Sequence, residues 1–223
     1  MPLLDVRNLT VEFPTRRGVL RALDDISFNI EAGEVLGMVG ESGAGKSLTG
    51  VSIVGLLERP GRIAGGQILL DGSRIDNLAA EPLRRIRGRR IGMIFQDPLT
   101  TLNPLYTIGR QLTETMQTHL PLSDADARKK AIAWLDRVGI PAAAQRIDAY
   151  PHEFSGGQRQ RVVIALALCA EPALVIADSL VVGTLSAEES VVVRQSQQPV
   201  RVVRSSGFDM GSRLRASLRQ GHA

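Results

Sequence analysis

The spacing of apolar and polar residues changes several times along the 223-residue chain, and each change predicts an element. Residues 3–13 and 19–30 read as two strands around a turn at 14–18, and the second alternates apolar and polar positions as half-solvated antiparallel sheet does. The unbroken apolar run 35–39 predicts a buried parallel strand, and residues 48–57 a helix. A short strand over 67–70 is closed by Asp71 and Gly72, and another follows over 91–95. From 96 to 150 the period becomes helical: Ser123 with Asp126 is a helix start, Ile132, Leu135 and Val138 make an apolar stripe, and Gly139 then Pro141 end it. Residues 161–170 predict a further helix and 173–177 the last clear strand. This order predicts one α/β domain with an antiparallel part and a helical insertion.

Between the strand at 35–39 and the helix that follows lie Gly40, Glu41, Ser42, Gly43, Ala44, Gly45, Lys46 and Ser47. Strand, glycine-rich loop and helix in that order make a phosphate cradle: glycines let backbone amides converge on a polyanion, and the helix adds the positive end of its dipole. Lys46 is placed to reach β- and γ-phosphates, and the Ser47 hydroxyl to ligate magnesium. The competing reading is a Gly-rich turn before an ordinary helix, and the four matched positions weigh against it.

A second glycine turn, Ser155, Gly156, Gly157 and Gln158, precedes the apolar helix at 161–170. It puts a hydroxyl and glycine amides at another helix amino terminus, where an anion is favoured. Alone it is a common cap.

Composition narrows the picture. Hydrophobic residues are 43% of the chain, a globular share, and one cysteine excludes an internal disulfide; Cys169, inside an apolar run, reads as a buried thiol of a reducing compartment. The start MPLLDVRNLT carries no charged-then-apolar leader, and no apolar run nears the roughly eighteen residues of a membrane span, so the expectation is a soluble chain that meets membrane through a partner. The net charge of +4 is concentrated at Arg84, Arg85, Arg87, Arg89 and Arg90. Such a run suits a solvated loop face, an anionic membrane surface or nucleic acid; without interleaved aromatics to stack bases, nucleic acid is disfavoured.

On the glycine loop and the SGGQ turn, the chain resembles the ATP-binding cassette (ABC) ATPases. IRGRRIGMIFQDPLTTLNPLYTIGRQL (86–112) and AYPHEFSGGQRQRVVIALAL (149–168) are similar to the ATP-binding subunits of dipeptide and oligopeptide importers. The resemblance implies a P-loop NTPase fold of the ABC type, with a mostly parallel sheet core, an antiparallel β subdomain and a helical subdomain over about 97–160, in an ATPase domain at 1–178 with a tail at 179–223. It implies ATP and Mg2+ as ligands, held between the loop of one subunit and the signature of a second ABC ATPase subunit placed head to tail. It implies two membrane permease subunits, a periplasmic solute-binding protein and a peripheral place on the cytoplasmic face of the inner membrane. By position it gives Lys46, Gln96 and Asp178 the catalytic roles, with Ser47, Gln96 and Asp178 toward magnesium. It makes Phe13 the residue that stacks on adenine, against the alternative of a strand residue packing in the core, and sets the stretch after Gln96 against a membrane subunit.

After Asp178 the resemblance stops. The family continues with a glutamate that serves as general base; here Ser179 follows, and losing such a base costs a factor of roughly a hundred to ten thousand. Glu188 and Glu189 come later, without the spacing to replace it. The family's histidine at the γ-phosphate has no counterpart either: His119 and His152 precede Asp178, and His222 is next to the last residue. A helix over 186–198 and a strand over 200–204 would echo the family, with Ser205 or Ser206 where the histidine belongs; the other reading is a tail unrelated to the family, such as an out-of-frame one. Three functional classes follow: an ATP-hydrolysing importer subunit for peptides, a degenerate nucleotide-binding subunit with little turnover, and a non-transport relative acting on nucleic acid.

Overall fold

The computed structural model describes residues 1–16, 18–39, 45–95 and 101–177, and the backbone of 200–204. They form two compact units, one of the described residues within 1–53, 57–76 and 200–204, the other of those within 54–56 and 77–177.

In the first unit, β1 (Leu4–Thr15) pairs antiparallel with β2 (Gly18–Ile30) and, on its other edge, with β4 (Arg62–Leu70), which turns back through Asp71 and Gly72 into β5 (Ser73–Arg74). One face of this sheet buries Leu4, Val6, Leu9, Val11, Leu23, Ile68 and Leu70. Each such side chain contributes about 1.5–3 kcal/mol by leaving water. β4 starts five residues before the strand expected at 67, because Gly65 and Gly66 mask its pattern. Gly66 has φ +83° and lies where a Cβ would come within 2.4 Å of the carbonyl oxygens of Arg7 and Asn8, at the register shift of β1. Only glycine allows that approach.

β3 (Val35–Val39) pairs parallel with β8 (Val200–Arg204), Val35 opposite Val200 through Val39 opposite Arg204. The strand expected at 200–204 is therefore present, beside the strand that leads into the glycine loop. β3 was expected to be buried, yet Val35 is 50% exposed, and among the described residues β8 is its one strand neighbour. α1 (Lys46–Ile53) is shorter than the 48–57 expected at its far end, stopping before Gly55, whose φ is +65°.

The second unit holds α2 (Ala80–Ile86), β6 (Ile91–Ile94), α3 (Ile108–His119), α4 (Asp124–Arg137), α5 (Ala143–Arg146), a 3-10 turn (Pro151–Glu153), α6 (Gly156–Leu168) and β7 (Leu174–Ala177). Thr107 and Ser123 cap α3 and α4, each hydroxyl accepting from the third amide beyond it. The stripe expected on α4 packs with α3 and α6 in a core of Ile108, Leu112, Met116, Trp134, Leu135, Ile147, Phe154 and Val163. Gly109 lets α3 touch α5: its amide donates to the Ile147 carbonyl at 2.7 Å, and a Cβ there would lie 2.8 Å from that oxygen. β6 and β7 pair parallel, with Ile94 opposite Ala177. The predicted helix at 186–198 lies outside the described residues.

Candidate nucleotide-binding elements

Of the glycine loop, Gly40, Glu41, Ser42, Gly43 and Ala44 lie outside the described residues. Its last part is defined. Gly45 has φ +85°, a conformation that favours glycine, and a Cβ on it would stand 2.4 Å from Leu23 Cδ2. α1 then opens at Lys46. Thr49 donates its amide (2.8 Å) and its hydroxyl (2.9 Å) to the Gly45 carbonyl, and Ser52 donates its hydroxyl to the Leu48 carbonyl at 2.7 Å. These two buried hydroxyls satisfy themselves on their own helix, which fixes where α1 begins. Lys46 is half-buried and Ser47 exposed.

The SGGQ turn is the amino terminus of α6. The Ser155 hydroxyl accepts from the Gln158 amide at 3.3 Å, and the Gln158 side-chain oxygen accepts from the Ser155 amide at 3.1 Å, a reciprocal capping box. Gly156 and Gly157 are exposed, have negative φ, and would meet nothing within 4 Å if each carried a Cβ. Neither backbone conformation nor packing within the chain asks for glycine there. Each costs helix stability of roughly 0.5–1 kcal/mol relative to alanine. The pair instead leaves helix amides open to close approach from outside.

Residues that the sequence did not single out hold this turn. Arg146 places its guanidinium 4.0 Å from the centre of the buried Phe154 ring and donates through Nη2 to the Glu153 carbonyl at 2.9 Å. The Glu153 carboxylate accepts from the Tyr150 amide at 2.6 Å, and the Tyr150 and His152 rings stack 5.8 Å apart. Further along α6, Arg161 donates to the Gly139 carbonyl at 2.9 Å, tying the helix to the end of α4. Gly92 in β6 lets the Ala167 carbonyl approach to 2.6 Å from where its Cβ would stand. A signal for these roles in one dimension was slight, since arginine and glycine are common on surfaces.

Gln96 and Asp178 lie outside the described residues, as do Ser179, Glu188, Glu189, Ser205, Ser206 and His222. The strands that lead to the first two are neighbours: Ile94 pairs with Ala177, so the chain enters both segments from adjacent strand ends. Carboxyl ends of parallel strands are where α/β folds bind ligands. Phe13 is half-buried on β1, its ring 2.7 Å from where a Cβ on Gly61 would be. Cys169 is buried as expected, and burial pushes its thiol up to about 12. Among the described residues, no group of three or more His, Cys, Asp and Glu side chains could hold a metal ion, and no helix is long and apolar enough to cross a membrane.

Residues 23–181 match the family model described as ABC transporter. A Brucella abortus (strain 2308) protein named for peptide import and ATP binding is 51% identical over 177 residues, which are 79% of this chain and 53% of its own. The oligopeptide transport ATP-binding protein of Escherichia coli (strain K12) is 48% identical over 176 residues, 79% of this chain and 52% of its own. The chain thus spans about half the length of the curated relatives it matches. Among solved structures, a dimeric ATP-binding cassette in a post-hydrolysis state with ADP and Pi matches at 28% identity and TM-score 0.70, covering 78% of this chain and 72% of that one. A Clostridium perfringens component of an ABC transporter complex matches at 30% identity and TM-score 0.61, covering 79% and 64%.

Proposed function

Because the chain belongs to the ABC transporter family, with the P-loop NTPase fold of its ATP-binding cassettes, we propose that it is the ATP-binding subunit of an importer that couples ATP binding and hydrolysis to uptake of peptides. The names of its relatives, peptide import and oligopeptide transport, support that substrate class. The observation that carries the reading is the pair Gly156 and Gly157, exposed at the start of α6 with no internal need for glycine. An ATP phosphate held by the loop of a second ABC ATPase subunit is a group of the right charge to use that opening.

The residues present fit ATP with Mg2+: Gly45 in the left-handed region leads into a helix that starts at Lys46, and Ser155 caps a second helix behind two glycines. Residues 40–47 would cradle the phosphates, Lys46 would neutralise β- and γ-oxygens, and Ser47, Gln96 and Asp178 would face magnesium. When bound, that ion supplies charge neutralisation along the triphosphate. Gln96 would also orient water, and Phe13 would stack on adenine.

Two membrane permease subunits and a periplasmic solute-binding protein complete the proposed assembly, at the cytoplasmic face of the inner membrane. Support for the permease contact comes from residues that follow Gln96 in the chain. Leu105 is 79% exposed and Tyr106 is held by Arg110 over its ring at 3.9 Å. An apolar cavity of about 210 Å³ lies in the same unit, lined by Met93, Phe95, Thr101, Val163 and Leu166 among others. A membrane subunit could seat an apolar side chain there.

The test is ATP-driven association. With ATP and Mg2+ the purified chain should shift to a dimer in sedimentation velocity under non-hydrolysing conditions, and Lys46→Ala should abolish the shift. A monomer at saturating nucleotide would sink the proposal. A second reading, a subunit that binds ATP with little turnover, is favoured by Ser179 in place of the family's glutamate. Phosphate release no greater than in Lys46→Ala, alongside nucleotide binding, would select it.

A further inference from the structure

The arginine run at 84–90 divides in the structure. Arg87 donates Nε to the Val54 carbonyl at 2.7 Å and Nη2 to the Gly55 carbonyl, so it is an anchor that caps the chain after α1. Arg89 donates Nη1 to the Ala170 carbonyl at 3.1 Å. Arg84 and Arg85 do neither. Their side chains are 69% and 81% exposed, and Glu81 is their charged partner among the described residues, at 3.8 and 3.9 Å, beyond hydrogen-bond length. Pairs so exposed contribute little to stability.

These groups line a cavity of about 340 Å³ with Thr118 and His119, the last residue of α3. Among the described residues, three guanidinium groups and an imidazole thus share one space with a single carboxylate, Glu81. Glu171, which also feels Arg89, is paired with Lys130 at 2.8 Å. His119 lies against Gly88, where a Cβ would stand 2.4 Å from its Nε2, so the ring is fixed at the cavity wall. We propose that this cavity, between α2 and the carboxyl end of α3, binds a soluble anion bearing phosphate groups with two or more negative charges.

The chemistry favours that class. Planar guanidinium forks match phosphate oxygens in pairs, and the cavity's volume is that of a small-molecule site. Among the described residues its lining holds no aliphatic side chain to enter a lipid layer, and its one aromatic ring, the His119 imidazole, lies against Gly88, which sets it apart from a membrane patch. The site is separate from the residues assigned to ATP, and its truth does not depend on the importer reading.

His119 supplies a local readout. Burial, then Arg89 and Arg84, hold its imidazole below the ordinary range, and the groups facing it are Arg84, Arg85 and Glu81 from α2, Arg89 from the turn before β6, and Thr118 on its own helix. An anion among the arginines relieves that repulsion. In NMR titrations of the three histidines, identified with His119→Gln, pyrophosphate should raise the His119 pKa by roughly one unit over chloride at equal ionic strength. In Arg84→Gln/Arg85→Gln, whose altered side chains are exposed and hold no backbone, pyrophosphate should bind at least about tenfold more weakly by the same signal. Lys46→Ala should leave the shift in place, because that residue belongs to the glycine loop. No shift, an equal shift in chloride, an unchanged shift in the arginine double variant or loss of the shift in Lys46→Ala would each overturn the proposal. A shift caused by phosphatidylglycerol vesicles and not by pyrophosphate would overturn it in favour of a membrane surface.

Discussion

Arg146 lies over Phe154, its guanidinium carbon 4.0 Å from the ring centre, while the same side chain donates to the carbonyl of Glu153. The residue after Phe154 is Ser155, the cap of α6. One cation therefore fixes both the ring and the backbone on which the SGGQ turn is mounted. Arg146→Ala should destabilise the fold by about 2 kcal/mol, the sum of a modest cation–π contact and a charge-assisted hydrogen bond. Chemical denaturation measures it. Nucleotide-driven association should weaken as well, and Arg146→Lys should restore part of both.

Gly157→Ala should move stability and function in opposite directions. With nothing within 4 Å of the added methyl, α6 should gain roughly 0.5–1 kcal/mol. ATP-driven dimerisation should fall at least about tenfold, since the methyl covers amides that the partner's nucleotide must approach. A stabilised protein that still dimerises with unchanged nucleotide dependence would refute the role given to this glycine.

Asp76 accepts from the Ile68 amide at 2.7 Å and from Arg74 at 2.8 Å, with its side chain 4% exposed. Burial works against its carboxylate, but the bonds from Arg74 and Ile68 outweigh it and hold the pKa below the ordinary value. A depressed pKa gives stability that is complete above the unfolded value near 4 and is lost as pH falls through the folded one. Asp76→Asn should thus cost about 1–3 kcal/mol at pH 7. Denaturation repeated at decreasing pH should show wild type and variant converging in acid.

Cys169 is buried in the second unit, its Sγ–H donating to the Leu166 carbonyl at 3.3 Å. With the thiol pushed up to about 12, thiolate is scarce at pH 8. A disulfide reagent should leave the native protein unlabelled for hours and titrate one thiol at once in denaturant. Rapid native labelling would contradict the packing around α6.

Much of this chain was legible in one dimension because the relevant physics is local. The cap at Ser123, the stop at Gly139, the turn at Asp71 and Gly72, and the amphipathic stripe on α4 depend on residues within a few positions of one another. Gly45 at the end of the glycine loop and the cap at Ser155 were readable for the same reason, since backbone freedom and helix termini are properties of short segments. Readings failed where distant backbone intervened. β4 extends through Gly65 and Gly66, which look like a strand break until the register shift of β1 is set against them.

The sequence by itself determined the family to which this protein belongs and the break in family pattern after Asp178, because both are matters of residue type and order. Tertiary structure decided that Arg87 and Arg89 anchor carbonyls while Arg84 and Arg85 stay exposed beside Glu81, and that among the described residues nothing packs where a Cβ on Gly156 or Gly157 would stand. It also decided that Val200 to Arg204 runs beside the strand entering the phosphate loop. Hydrogen-bond partners, empty space beside a Cβ and strand neighbours arise from segments far apart in the chain, and no local pattern encodes them.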